Sequence, residues 1–252
     1  MENEIALWSA AARLTPGSEA GRDGAIGWIL NDIPVPFFNQ AFVLDAPAEE
    51  AALRRSVDRL RSHEQPYQVR VRAGLDDALL PLIADLGLVE DPEEAYPAMA
   101  LSPIPEGVDA PPRPDHLEIR VATDDSTFEG HVTIVAEGFG MPLALVRRFL
   151  GPQVLEVPGI SILVGSRAGE PVATAMGFVA DGTVGVYNVA TIESARRRGY
   201  GAALTRRAID EGRRRGADVA ILQSSTMGRP VYEAIGFRAT AEFRVFVERP
   251  AG

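Results

Sequence analysis

The chain has 252 residues, 46% of them apolar, and carries 35 acidic against 25 basic side chains for a formal net charge of −10. It has no cysteine, which excludes disulfides, a thiolate nucleophile and a cysteine-bound zinc, and no apolar run reaches the roughly 18 residues of a membrane span. The acidic balance argues against a nucleic-acid partner, since such binding rests on neutralising phosphates; the opening Met1-Glu2-Asn3-Glu4 lacks the shape of a signal peptide, so a cytoplasmic location is expected.

Residues 49–61 read as a helix, and Tyr67-Gln68-Val69-Arg70-Val71 as a strand. The stretch from Leu101 to Pro114 is Pro-rich and reads as a linker. This divides the chain into 1–102, a linker 103–114, and 115–252. Leu117 to Val121 alternates like a strand, and Asp124, Asp125 and Ser126 offer N-cap chemistry for a helix through about Glu137. Gly138 to Pro142 breaks that helix, and a second short one is expected from Leu143 to Leu150. Two strands follow at 160–164 and 172–179, then an apolar run from Val184 to Ala190. An Arg- and Gly-rich turn leads into a helix from Ala203 to Arg215, then a strand at 217–223, a helix at 227–235, and an alternating final strand containing Phe243, Val245 and Val247.

The turn is Arg196-Arg197-Arg198-Gly199-Tyr200-Gly201-Ala202. A strand that passes through such a turn into a helix suits a phosphate. The first N–H groups of a helix lack partners within it, and the dipole adds positive charge there. Glycine lets the backbone approach the anion, and arginine brings fork-shaped donors. A Walker A loop needs Gly-Lys-Ser/Thr, and the chain has no lysine. A dinucleotide fingerprint needs a third glycine where Leu204 stands. The pattern Arg/Gln-x-x-Gly-x-Gly/Ala is matched by Arg196, Gly199 and Gly201. Further on, Tyr232-Glu233-Ala234-Ile235-Gly236-Phe237 matches Tyr-x-x-x-Gly-Phe.

Together these motifs, in this order of strands and helices, resemble the GNAT superfamily of N-acetyltransferases over roughly residues 114–248. The resemblance implies an α/β (α+β) fold with a mixed, mostly antiparallel sheet flanked by helices. It implies acetyl-CoA as cosubstrate, with no metal, and direct transfer of the acetyl group to a primary amine on a small molecule or peptide. By the same resemblance Val189, Ala190 and Thr191 would hold the pantetheine arm. Arg196, Arg197, Arg198, Gly199, Tyr200, Gly201 and Ala202 would hold the pyrophosphate, and Tyr232 would protonate the leaving thiolate. Ser225 stands where the family often has asparagine, and by the resemblance its hydroxyl would donate a hydrogen bond to the cofactor on that side. Glu137, Glu193 or a chain of waters would serve as base. An acyl-CoA-binding pseudoenzyme or regulatory sensor is the alternative; it would keep the turn and not need Tyr232.

Shifted by 149 residues, the halves coincide at several landmarks: Phe38-Asn39 on Tyr187-Asn188, and Pro81 to Leu88 on Pro230 to Phe237. Such self-similarity points to an internal repeat. Opposite the Arg/Gly turn the first half has Pro47-Ala48-Glu49-Glu50-Ala51-Ala52, whose carboxylates would repel a pyrophosphate. The expectation is therefore two GNAT-like halves, the first degenerate and without a cofactor site. Charge follows the same division: residues 1–112 hold 8 arginines and 19 carboxylates, and residues 113–252 hold 17 and 16. His63, His116 and His131 have no metal-ligand spacing and read as surface or packed residues. A monomer or homodimer is expected.

Overall fold

A computed structural model describes residues 1–109 and 114–248, so residues 110–113 of the expected linker and the last four residues lie outside the described part. By contacts the chain divides into two units, Met1–Ala98 with Ala239–Gly252, and Met99–Arg238. No described helix is long and apolar enough to cross a membrane.

The first unit runs α1 (Glu2–Ala12), β1 (Glu19–Asp23), β2 (Ile26–Leu30), β3 (Gln40–Val43), α2 (Glu50–Ser62), β4 (Gln68–Arg72), α3 (Leu80–Asp85) and β5 (Leu88–Glu90). The unit boundary falls inside β6 (Tyr96–Leu101). β1 to β3 pair antiparallel, and β3 pairs parallel with β4, Gln40 against Gln68. α2 buries Ala52, Leu53, Val57 and Leu60, one helical face. Each fully buried Leu or Val there contributes about 1.5–3 kcal/mol.

The second unit contains β7 (Glu118–Val121), α4 (Asp125–Phe139), α5 (Leu143–Phe149), β8 (Ile160–Arg167), β9 (Glu170–Ala180), β10 (Thr183–Thr191), α6 (Tyr200–Arg214), β11 (Val219–Gln223) and α7 (Arg229–Ile235). Its strands lie in the order β7-β8-β9-β10-β11, antiparallel except for the parallel β10–β11 pair. Side chains alternate across β9: Ala173 and Ala175 share a core with Leu204 and Ala208 of α6, whereas Thr174 bonds to His131 of α4. α4 and α6 therefore cover opposite faces of this sheet. Asp124 caps α4 by accepting the Thr127 N–H at 2.8 Å, and left-handed Gly140 closes it. The described part of the expected linker packs into this unit: Ile104 and Val108 are buried, and the Ile104 N–H reaches the Asp218 carbonyl at 2.9 Å.

The last strand, β12 (Arg238–Glu248), pairs antiparallel with β4 from Phe243 on Arg72 to Val247 on Gln68, and also with β5. It thus completes the sheet of the first unit, although sequence order attaches it to the second. Phe243, Val245 and Phe246 are buried there. In both units the sheet is mixed, mostly antiparallel and flanked by helices.

The units share their pairing pattern: two antiparallel steps, then a parallel pair that brackets a helix, α2 in one and α6 in the other. The ladders set Gln40 against Thr183 as the start of that parallel pair, rather than Phe38-Asn39 against Tyr187-Asn188. A uniform shift fails because the turns differ in length. Eight positions separate Phe42, the last paired residue of β3, from Glu50, and fifteen separate Gly185 from Tyr200. The extra residues of the second unit are the Arg/Gly turn and the strand end before it.

Candidate active site

β10 holds β9 along its length but holds β11 only through Thr183, Val184 and Gly185. Beyond Gly185 the parallel ladder ends and the two strands part. The β9 register slips between Tyr187 and Ala190, and Asn188 takes a left-handed φ of 50°. The slip is a β-bulge, a device that re-aims backbone groups. Its signal in the sequence was Asn188 itself, since asparagine tolerates this conformation far better than most residues.

A 3-10 turn at Glu193–Ala195 follows. The Nε of Arg196 then donates to the Thr191 carbonyl at 3.2 Å, which fastens the turn to the strand end. Arg197 (φ 60°) and Gly199 (φ 78°) are both left-handed, and the helix opens at once on Tyr200. Gly199 occupies the N-cap of α6 with no side-chain cap. The first N–H groups of α6 are therefore left for a ligand or solvent, beside the exposed side chains of Arg196, Arg197 and Arg198. A methyl group on Gly201 would lie 3.7 Å from Thr191 Oγ1 and 3.9 Å from Val189 Cγ1. The strand end and the helix start thus face each other, bringing Val189, Thr191, Arg196 and Gly201 together.

Three further predicted residues pack into the fold around this turn. Tyr200 has its ring buried in the core, and its N–H lies in the first turn of α6. Ala190 is buried as well: a methyl on Gly138 of α4 would fall 2.7 Å from its Cβ. The Ser225 hydroxyl accepts the Gly228 N–H at 3.1 Å and braces the turn before α7. Ala202 is half-buried in the first turn of α6.

Tyr232 is buried in α7, edge-on to Phe237 at 6.0 Å. It sits against Gly228, where a methyl group would come within 2.9 Å of its ring and 3.3 Å of Ser225 Oγ. Burial pushes its phenol up to about 12, so it stays protonated at neutral pH. α6 packs on α7, and Tyr200 and Tyr232 belong to one core. Glu137 and Glu193 are exposed carboxylates. No cluster of metal-ligating side chains exists among the described residues.

The first unit has no equivalent of this turn. Glu49 stands at the N-cap of α2, and no left-handed residue occurs among the described residues between Phe42 and Glu50.

Residues 142–237 match the Acetyltransferase (GNAT) family. In fold the chain is similar to a GCN5-related N-acetyltransferase from Kribbella flavida, with a TM-score of 0.68 at 21% identity over 98% of this chain and 96% of that one. It is also similar to a GCN5-related N-acetyltransferase from Sphaerobacter thermophilus, with a TM-score of 0.62 at 19% identity over 90% and 78%. A tandem GNAT protein from the clavulanic acid biosynthesis pathway gives a TM-score of 0.62 at 14% identity over 100% and 95%. No curated protein sequence matches the chain. The family match thus places a GNAT acetyltransferase domain at residues 142–237, in the second unit, where the Arg/Gly turn opens an uncapped helix beside a bulged strand.

Proposed function

We propose that the chain is an acetyl-CoA-dependent N-acetyltransferase that acetylates a primary amine on a small molecule or peptide in the cytoplasm. One observation carries this reading: left-handed Arg197 and Gly199 turn the chain into an uncapped α6 beside the parted end of β10. The donor set there, backbone N–H groups and three exposed guanidinium groups, fits a pyrophosphate.

Acetyl-CoA would supply a thioester whose carbonyl the amine attacks and whose thiolate leaves. The residues of this chain supply the rest. The parted edge of β10 at Val189 to Thr191 offers backbone groups to the pantetheine arm and to the oxygen on which negative charge builds. Tyr232, held neutral by burial, gives a proton to the departing sulfur. Glu137, Glu193 or a water chain takes the proton of the amine. The first unit, with Glu49 at the corresponding N-cap, is a degenerate GNAT-like domain without a cofactor site. A regulatory acyl-CoA sensor is the alternative, and Tyr232 speaks against it because binding alone needs no neutral proton donor.

Calorimetry with acetyl-CoA is expected to give one site per chain, and thiol release in the presence of a panel of amines is expected to rise above background. Two equivalent sites per chain would remove the degenerate first unit. Binding without turnover for any amine would favour the sensor.

A further inference from the structure

One buried polar group in the second unit has no part in the reading above. His131 of α4 is 0% exposed. Its Nδ1 lies 2.7 Å from Thr174 Oγ1, and that hydroxyl donates its single proton to the Leu163 carbonyl at 2.7 Å. Thr174 can therefore only accept from His131, which fixes the imidazole as the Nδ1–H tautomer. The other ring nitrogen, Nε2, is buried without a hydrogen-bond partner among the described residues. A leucine would fill such a place without the cost of burying an unsatisfied polar group. The Nδ1 bond ties α4 to β9.

That tie bears on the bulge. Thr174 pairs across β9–β10 with Ala190, the residue at which the ladder resumes after the slip. Two helical turns beyond His131, on the same face of α4, Gly138 rests on Ala190, so that an added methyl would be 2.7 Å from the Ala190 Cβ and 3.9 Å from the Thr191 nitrogen. Between these two points Ile134, Val164 and Ala190 form one apolar cluster. α4 is thus pinned to β9 by a hydrogen bond and to β10 by close contact, both at the register of Ala190, where the ladder resumes after the bulge.

We infer that His131 is a positioning residue for acyl transfer: through Thr174 it holds α4 against Ala190 and keeps the Asn188–Thr191 backbone in the geometry that meets the cosubstrate. This rests on the proposed acetyl-CoA reading, but its main test needs no ligand.

Hydrogen–deuterium exchange on the full chain would compare the wild type with His131→Leu, His131→Asn and Thr174→Val. Asn places an amide N–H close to where Nδ1 stood, and Leu places none. Exchange in peptides spanning 186–192 is expected to rise about tenfold or more in His131→Leu and Thr174→Val. It should return towards wild type in His131→Asn, with peptides of the first unit unchanged. If wild-type exchange at 186–192 persists in His131→Leu, or Asn fails to rescue it, the inference is overturned. Should His131→Leu not fold, the pair Thr174→Val and Thr174→Ser carries the same contrast. Calorimetry of the wild type with acetyl-CoA is read separately: no binding there sinks the proposed function and leaves the exchange result standing.

Discussion

Acidification offers a direct measure of how completely His131 is buried. Its surroundings contribute no charge partner; desolvation alone lowers the imidazole from 6.5 to about 3. The unfolded chain binds a proton at this residue below about pH 6.5, and the folded chain does not until near pH 3. Stability is therefore fully present above 6.5 and lost as the pH falls below it, at about 1.4 kcal/mol per pH unit. Between pH 7 and pH 5 the loss from this one residue amounts to about 2 kcal/mol. That is a large share of the 5–15 kcal/mol typical of a domain. Urea denaturation at pH 7, 6 and 5, followed in wild type and His131→Asn, isolates the term, because other titrating groups act equally in both. The wild type is expected to lose about 2 kcal/mol more than the variant over this interval. Parallel curves would mean that the imidazole is solvated, and the argument from burial would be wrong.

Three further perturbations test the remaining assignments. Gly199→Glu places a side chain and a negative charge at a left-handed N-cap, and is expected to abolish acetyl-CoA binding in calorimetry while circular dichroism stays that of a folded protein. Tyr232→Phe removes one hydroxyl and keeps the ring against Phe237; kcat should fall by about 10²–10⁴ with acetyl-CoA affinity little changed, and an unchanged kcat with chemistry rate-limiting would take Tyr232 out of the mechanism. In the first unit Glu4 meets the fully buried guanidinium of Arg70 at 2.7 Å. Glu4→Gln leaves that charge unpaired and is expected to cost about 3–5 kcal/mol in urea denaturation.

Much of the second unit could be read along the chain because its signals are local. Asp124 caps α4 as expected, the Arg/Gly turn opens α6, and Gly236 closes α7 with a φ of 117°. Each of these depends on a residue and its neighbours within one turn. What stayed hidden depends on partners far away in sequence. Asn188 marks a residue that tolerates a left-handed turn, but the mismatch it makes with β9 shows only when both strands are in register. The alternation at Phe243, Val245 and Val247 foretold a strand, but alternation names no partner, and β12 pairs with β4. No single offset aligns the two halves of the repeat, because the turn of the second unit is longer. His131 offered only an isolated histidine in an apolar helix; its bond to Thr174 joins residues 43 positions apart.

The placement of β12 has a consequence for how the chain is made. A ribosome delivers α1 through β5 before the second unit, yet the strand that β4 and β5 need follows that unit. Until then the first unit presents two unpaired edges, β4 with its buried Arg70 and the short β5, and domains usually fold in order of emergence. The interior of the second unit can close first, since Met99 to Arg238 is complete before β12 appears. A nascent chain released before β12 would carry a closed second unit and an unpaired β4 edge, the kind of surface that recruits other strands into aggregates.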